Sequence, residues 1–152
     1  TREDFESAIN HALKTAKIDF ICLAGFMRVL TAGFASDWRG RLINIHPSLL
    51  PSFVGLHVHE RMIQAGVKIA GCTVHFVSAD VDSGPIIGQA AVPVLPGDNE
   101  EKLAARILEQ EHKLYPACLR LLLENKARLL GANVIYDDTI VATGELINPP
   151  TN

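Results

Sequence analysis

Hydrophobic and polar positions along this chain change period several times, and the changes mark an alternation of helices and strands. From Asp4 to Ala16 the apolar residues Phe5, Ala8, Ile9 and Leu13 recur at helical spacing. Ile18 to Ala24 is a short, mostly apolar run before Gly25, the pattern of a strand buried on both faces. Thr31 to Trp38 predicts a short helix that Thr31 can cap. Arg41 to Ile45 predicts a second buried strand, and Glu60 to Ala65 a short helix that Gly66 can end. Lys68 to Val77 alternates, with Thr73 and His75 on one face and Val74 and Phe76 on the other. Pro85 to Val94 predicts a further strand. Asp98, three residues before Glu101, has the capping spacing for a long helix that carries Leu103, Ile107, Glu111 and Leu114, with a kink at Pro116. Asn133 to Thr143 alternates around Asp137-Asp138 and predicts a hairpin. Strands alternating with helices imply an α/β layered fold.

Composition narrows this picture. A chain of 152 residues is most simply one domain. At that length it buries roughly 70% of its unfolded surface and needs no disulfide or metal staple. With 48% hydrophobic and 20% charged residues it reads as globular. A formal charge of −3 gives no electrostatic case for nucleic acid or an anionic membrane. No run approaches the roughly 18 apolar residues of a membrane span. Thr1-Arg2-Glu3-Asp4 lacks a signal-peptide pattern. Cys22, Cys72 and Cys118 are far apart with apolar neighbours, which predicts buried, reduced thiols in a cytoplasmic protein.

The chemistry concentrates in Asn44-Ile45-His46-Pro47-Ser48-Leu49-Leu50-Pro51-Ser52-Phe53. Residues i and i+2 of extended backbone point to the same side, so Asn44 and His46 reach the same space at a strand end. An amide donor beside an imidazole suits acyl transfer, one group holding a developing oxyanion and the other managing protons. Pro47 and Pro51 stiffen the loop that follows. A second signal is Gly71 to Pro85, where a strand ends in a loop bearing Asp80 and Asp82. A carboxylate near an imidazole orients it, which makes Asp82 a candidate partner for His46. Glu111 projects near an apolar helical stripe, as a pocket residue or as an edge residue. His57-Val58-His59 invites a metal reading, but Ile63 occupies the place of the second histidine in HExxH and no third ligand has a recognisable spacing. The two histidines then read as loop residues that line a pocket or face water.

NIHPSLLPSF, GLHVH (Gly55 to His59), GCTVHFVSADVDSGPII and EQEHKLYP, with AGFMRVL at Ala24 to Leu30, closely resemble phosphoribosylglycinamide formyltransferase, a folate-dependent family of purine synthesis. The resemblance implies a three-layer, Rossmann-like formyltransferase fold with a mostly parallel sheet, of which residues 1 to 152 form the central and C-terminal portion. The family's opening strand and glycine-rich phosphate loop have no counterpart here. The expectation is therefore that this chain alone binds the nucleotide weakly and exposes unpaired sheet edges. The implied reaction moves a formyl group from 10-formyltetrahydrofolate, the co-substrate, to the amine of glycinamide ribonucleotide, without a metal. Asn44, His46 and Asp82 map onto the family's catalytic trio, and Thr73 and His75 onto supporting positions. Folate would lie against Met27, Arg28, Val29 and Leu30, under a loop formed by Ser78, Ala79, Asp80, Val81 and Asp82. Glu111, with Asn44, would bind the nucleotide. The expected partners are these small molecules, with no nucleic acid or membrane, and a homodimer is one assembly the resemblance allows. The alternatives are a formyltetrahydrofolate hydrolase and a folate-binding module without turnover.

Overall fold

A computed structural model describes residues 1–140 and 144. Its elements run α1 (Arg2–Thr15), β1 (Ile21–Leu23), α2 (Ala32–Asp37), β2 (Leu42–His46), α3 (Val58–Gln64), β3 (Ile69–Phe76), β4 (Ile86–Pro93), α4 (Glu100–Leu123), β5 (Ala127–Leu130) and β6 (Asn133–Tyr136). Four strands form one sheet in the order β1-β2-β3-β4, and β5 and β6 form a separate two-stranded sheet. The β1·β2 pairing is parallel, whereas β2·β3 and β3·β4 are antiparallel, so the described part of the sheet is mixed.

Side-chain alternation along β2 divides the core. Leu42 points to a cluster with Phe34 and Trp38, against which Ile9 and Leu13 of α1 also pack. Ile43 points the other way, into a cluster with Val74, Phe76, Ile87, Cys118 and Leu122 beneath α4. A third cluster joins Val58 and Met62 of α3 to Leu103 and Ile107 of α4 over Ala70, Cys72 and Val92. Helices cover both faces of the sheet, which is the expected three-layer α/β arrangement.

Several local expectations need correction. The first strand spans only Ile21–Leu23 and is half exposed, because it lies at a sheet edge with β2 as its one partner. Cys22 on that strand is exposed, while Cys72 and Cys118 are buried. The long helix is capped by Asn99, whose side chain accepts from the Lys102 amide at 2.9 Å. Asp98 instead accepts from the Leu95 amide and holds Arg106 through both carboxylate oxygens. As expected, the helix runs on through Pro116 to Leu123. The C-terminal hairpin turns at Gly131, in the left-handed region that glycine favours, ahead of Asp137-Asp138. Val141, Ala142 and Thr143 of the predicted hairpin lie outside the described residues. Among those described, no helix is long and apolar enough to cross a membrane.

Candidate active site

The site grows out of the β2·β3 register. Asn44 stands opposite His75, and His46 opposite Thr73. Because Leu42 of the same strand face is buried toward α2, Asn44 and His46 continue along that face and emerge where the helical cover stops. The loop after β3 then brings Asp82 back over them. Asp82 takes a left-handed backbone conformation, φ 50°, which Asp tolerates better than most residues. Its carboxylate accepts from the Gly55 amide at 3.0 Å, so the loop after β2 and the loop after β3 are tied together at this residue.

Asp82 Oδ2 lies 3.3 Å from His46 Nδ1, and both side chains are about nine-tenths buried. The other ring nitrogen, Nε2, donates to the Phe53 carbonyl at 2.9 Å. Oxygen acceptors thus face both nitrogens of His46, and only the imidazolium donates to both. His75 is arranged differently. Its Nδ1 donates to the Phe76 carbonyl at 2.9 Å, which leaves Nε2 as an acceptor for the Asn44 Nδ2 amide at 3.4 Å. Burial pulls the His75 pKa below the ordinary histidine value, despite the raising influence of the Phe76 carbonyl and of Asp82. A neutral ring turns a lone pair toward Asp82 Oδ1, so their 3.8 Å approach is no hydrogen bond. Asn44 thereby has its amide nitrogen oriented by His75, with one N–H left for another acceptor.

Thr73 sits behind this arrangement, fully buried. Its hydroxyl donates to the Ser48 carbonyl at 2.7 Å and accepts from the Leu50 amide and the Gln89 side chain, each at 3.0 Å. Ser48 Oγ in turn bonds the Ser52 carbonyl at 2.6 Å. This network fastens the proline-rich loop to β3 and β4, and so fixes the Phe53 carbonyl that holds His46.

Asn44, His46, His75 and Asp82 lie along an open cleft of about 1230 Å³. Met27, Arg28, Val29, Leu30, Ser78, Ala79, Asp80, Val81 and Glu111 all line it. Thr73 does not reach it. Met27 is 73% exposed and Val29 49%, so this wall offers apolar surface. Burial raises the Glu111 carboxyl pKa, against the lowering pull of His112 and His46. His57 and His59 line the cleft too, and burial pulls His59 below its ordinary value, against the raising pull of Glu100. Among the described residues no group of three or more His, Cys, Asp or Glu side chains is placed to hold a metal.

Sequence reasoning missed three contributors. The Gly55 amide and the Phe53 carbonyl are backbone groups with no side-chain signal. Tyr115 also lines the cleft, with its hydroxyl 2.7 Å from the Leu23 carbonyl and 3.1 Å from that of Ile43. Its place four residues after Glu111 on one helical face was the available clue.

A family profile described as formyl transferase matches residues 1–119. The chain belongs to the formyl transferase family. Its relatives in that family include the trifunctional purine biosynthetic protein adenosine-3 of Drosophila melanogaster, 54% identical over 127 residues, or 84% of this chain and 9% of that protein. Phosphoribosylglycinamide formyltransferase of Escherichia coli K12 is 41% identical over 129 residues, which is 85% of this chain and 61% of that one. The crystal structure of phosphoribosylglycinamide formyltransferase from Anaplasma phagocytophilum matches at 50% identity and a TM-score of 0.82, covering 86% of this chain and 64% of that one. This chain therefore spans less than two thirds of these formyl transferases. A formyltetrahydrofolate deformylase structure from Pseudomonas syringae matches at 30% identity and a TM-score of 0.82, covering 87% of this chain and 44% of that one.

Proposed function

We propose that this chain carries the chemical centre of a transferase that moves the formyl group of 10-formyltetrahydrofolate to the amine of glycinamide ribonucleotide. The observation that carries the reading is the grouping of an amide, an imidazole and a carboxylate at one point of a cleft, with Asp82 3.3 Å from His46 and Asn44 one step along the same strand face. The substrate amine attacks the formyl carbon, and negative charge gathers on its oxygen. The free N–H of Asn44 donates to that oxygen. His46 keeps its Nε2–H on the Phe53 carbonyl, so Nδ1 is the nitrogen that gains or releases a proton. Asp82, 3.3 Å from that nitrogen, orients the ring and relays the proton lost by the attacking amine toward the folate nitrogen as the formyl C–N bond breaks. The step needs no covalent enzyme intermediate.

The apolar surface of Met27 to Leu30 suits a flat, largely apolar ring system, and Ser78 to Asp82 supply the facing edge. Glu111, across the cleft, offers a carboxylate to the ribose hydroxyls of the nucleotide. Thr73 and His75 act by positioning, Thr73 on the loop and His75 on the Asn44 amide. The higher identity to named phosphoribosylglycinamide formyltransferases than to the deformylase favours an amine over water as acceptor.

The test follows release of deformylated folate by the full protein with and without added glycinamide ribonucleotide. The reading expects release that depends on the nucleotide, together with formylated product. Release at the same rate without nucleotide would identify a hydrolase, and folate binding without release would identify a binding module.

A further inference from the structure

The cleft wall from Ala24 to Leu30 is irregular chain between β1 and α2, and among the described residues none of its members makes a main-chain to main-chain hydrogen bond outside the regular elements. Its shape must be imposed from outside, and α1 supplies the means. The Arg28 guanidinium lies 4.2 Å from the centre of the Phe5 ring. One residue along, Glu6 is 5% exposed, a buried carboxylate on a helix that is otherwise mostly exposed. Its Oε1 accepts from the Thr31 amide at 2.7 Å, and its Oε2 accepts from the Thr31 hydroxyl. The same hydroxyl oxygen accepts from the Phe34 amide at 3.2 Å to cap α2. With its proton committed to Glu6, the Thr31 hydroxyl turns a lone pair to Phe34. Glu6 therefore fixes the residue at which the wall ends and α2 begins.

We propose that Glu6 is a positioning residue for co-substrate binding, acting through Thr31 on the Met27–Leu30 wall of the cleft. The inference rests on the folate reading of that wall. Glu6 lines a separate, smaller cavity behind the wall and is absent from the cleft itself, so any effect on the co-substrate must pass through the wall. The nucleotide side of the cleft, around Glu111, is built on α4, whereas the Glu6 carboxylate is bonded to Thr31 and lines the other cavity.

The test compares the full protein with its Glu6→Gln, Thr31→Val and double variants, measuring KM for each substrate, kcat and calorimetric affinity for the folate. Gln keeps one acceptor and loses the second, and Val removes the hydroxyl from the other end of the same link. Each variant is expected to raise the folate KM and dissociation constant about ten-fold, leaving the nucleotide KM and the saturated kcat near parental values. The double variant should be no worse than the single ones, since both cut one link. Thr31→Ser, which keeps the hydroxyl, should restore parental folate binding. Unchanged folate KM in a folded variant overturns the proposal. So does a proportionate change in both KM values and kcat, which would mark a general loss of structure, or an additive double variant. A parental protein that neither binds folate nor transfers formyl would instead refute the functional reading, independently of the variants.

Discussion

Glu111 and Thr73 are both half or fully hidden polar residues, yet their surroundings treat them in opposite ways. Burial raises the Glu111 carboxyl, so the folded protein holds that proton more tightly than the unfolded chain does. Ionised Glu111 therefore costs stability at neutral pH, and the cost vanishes once both states are protonated, below about pH 4. Glu111→Gln should raise the unfolding midpoint at pH 7, leave it unchanged near the acid limit, and weaken nucleotide binding; denaturation at the two pH values checks this. Thr73 is satisfied on every side. Thr73→Val strands a buried amide and a buried carbonyl, which should cost about 2–4 kcal/mol in chemical denaturation, with Thr73→Ser close to parental. Asn44 and His46 were legible in sequence because i and i+2 of a strand share a face. Glu6 was not, since a carboxylate in an amphipathic helix reads as solvated. Its spacing of three from Ile9 and seven from Leu13 was the sign that it shares their buried face.

Asp82 reaches His46 because the chain turns back immediately after β3, and Gly84 makes that return possible. A Cβ placed on Gly84 would stand 1.7 Å from the Phe76 carbonyl oxygen. The Phe76 amide meanwhile bonds the Pro85 carbonyl at 2.9 Å, so neither segment can retreat without breaking the pairing. Gly84→Ala should cost more than about 3 kcal/mol or displace the Asp82 loop, seen as a lowered unfolding midpoint together with lost turnover. Parental stability and activity in that variant would contradict this account of the loop. Element types were largely readable from periodicity, because buried strands and a two-sided core leave strong patterns. The ends were less so: Asp98 and Asn99 are both good caps, and only the Arg106 guanidinium, out of view in sequence, draws Asp98 away from the helix end.

Across the described residues two histidines, buried His75 and half-buried His59, contribute to the response to mild acid. Burial holds His75 and His59 below the ordinary histidine range, so the unfolded chain takes up protons first as pH falls. Their contribution is complete above about pH 6.5 and shrinks below it. Asp98, held down to about pH 2 by Arg106, keeps its ion pair through this window. In the Glu111→Gln background, which removes the opposing carboxyl, the unfolding midpoint should fall steadily as pH drops from about 7 to 5. A flat or rising midpoint would contradict it. The layered architecture was legible from the alternation of strands and helices, but the convergence of two loops on His46 was not. It depends on the antiparallel β2·β3 register and on a backbone amide, Gly55, that no residue type announces.

The most direct measurement is turnover of Asn44→Ala in the full protein at saturating folate and glycinamide ribonucleotide, with folate affinity measured alongside. If the Asn44 amide donates to the charge that forms on the formyl oxygen, kcat should fall about 100- to 1000-fold while folate still binds. A variant that turns over near the parental rate would remove Asn44 from the chemistry and contradict the account.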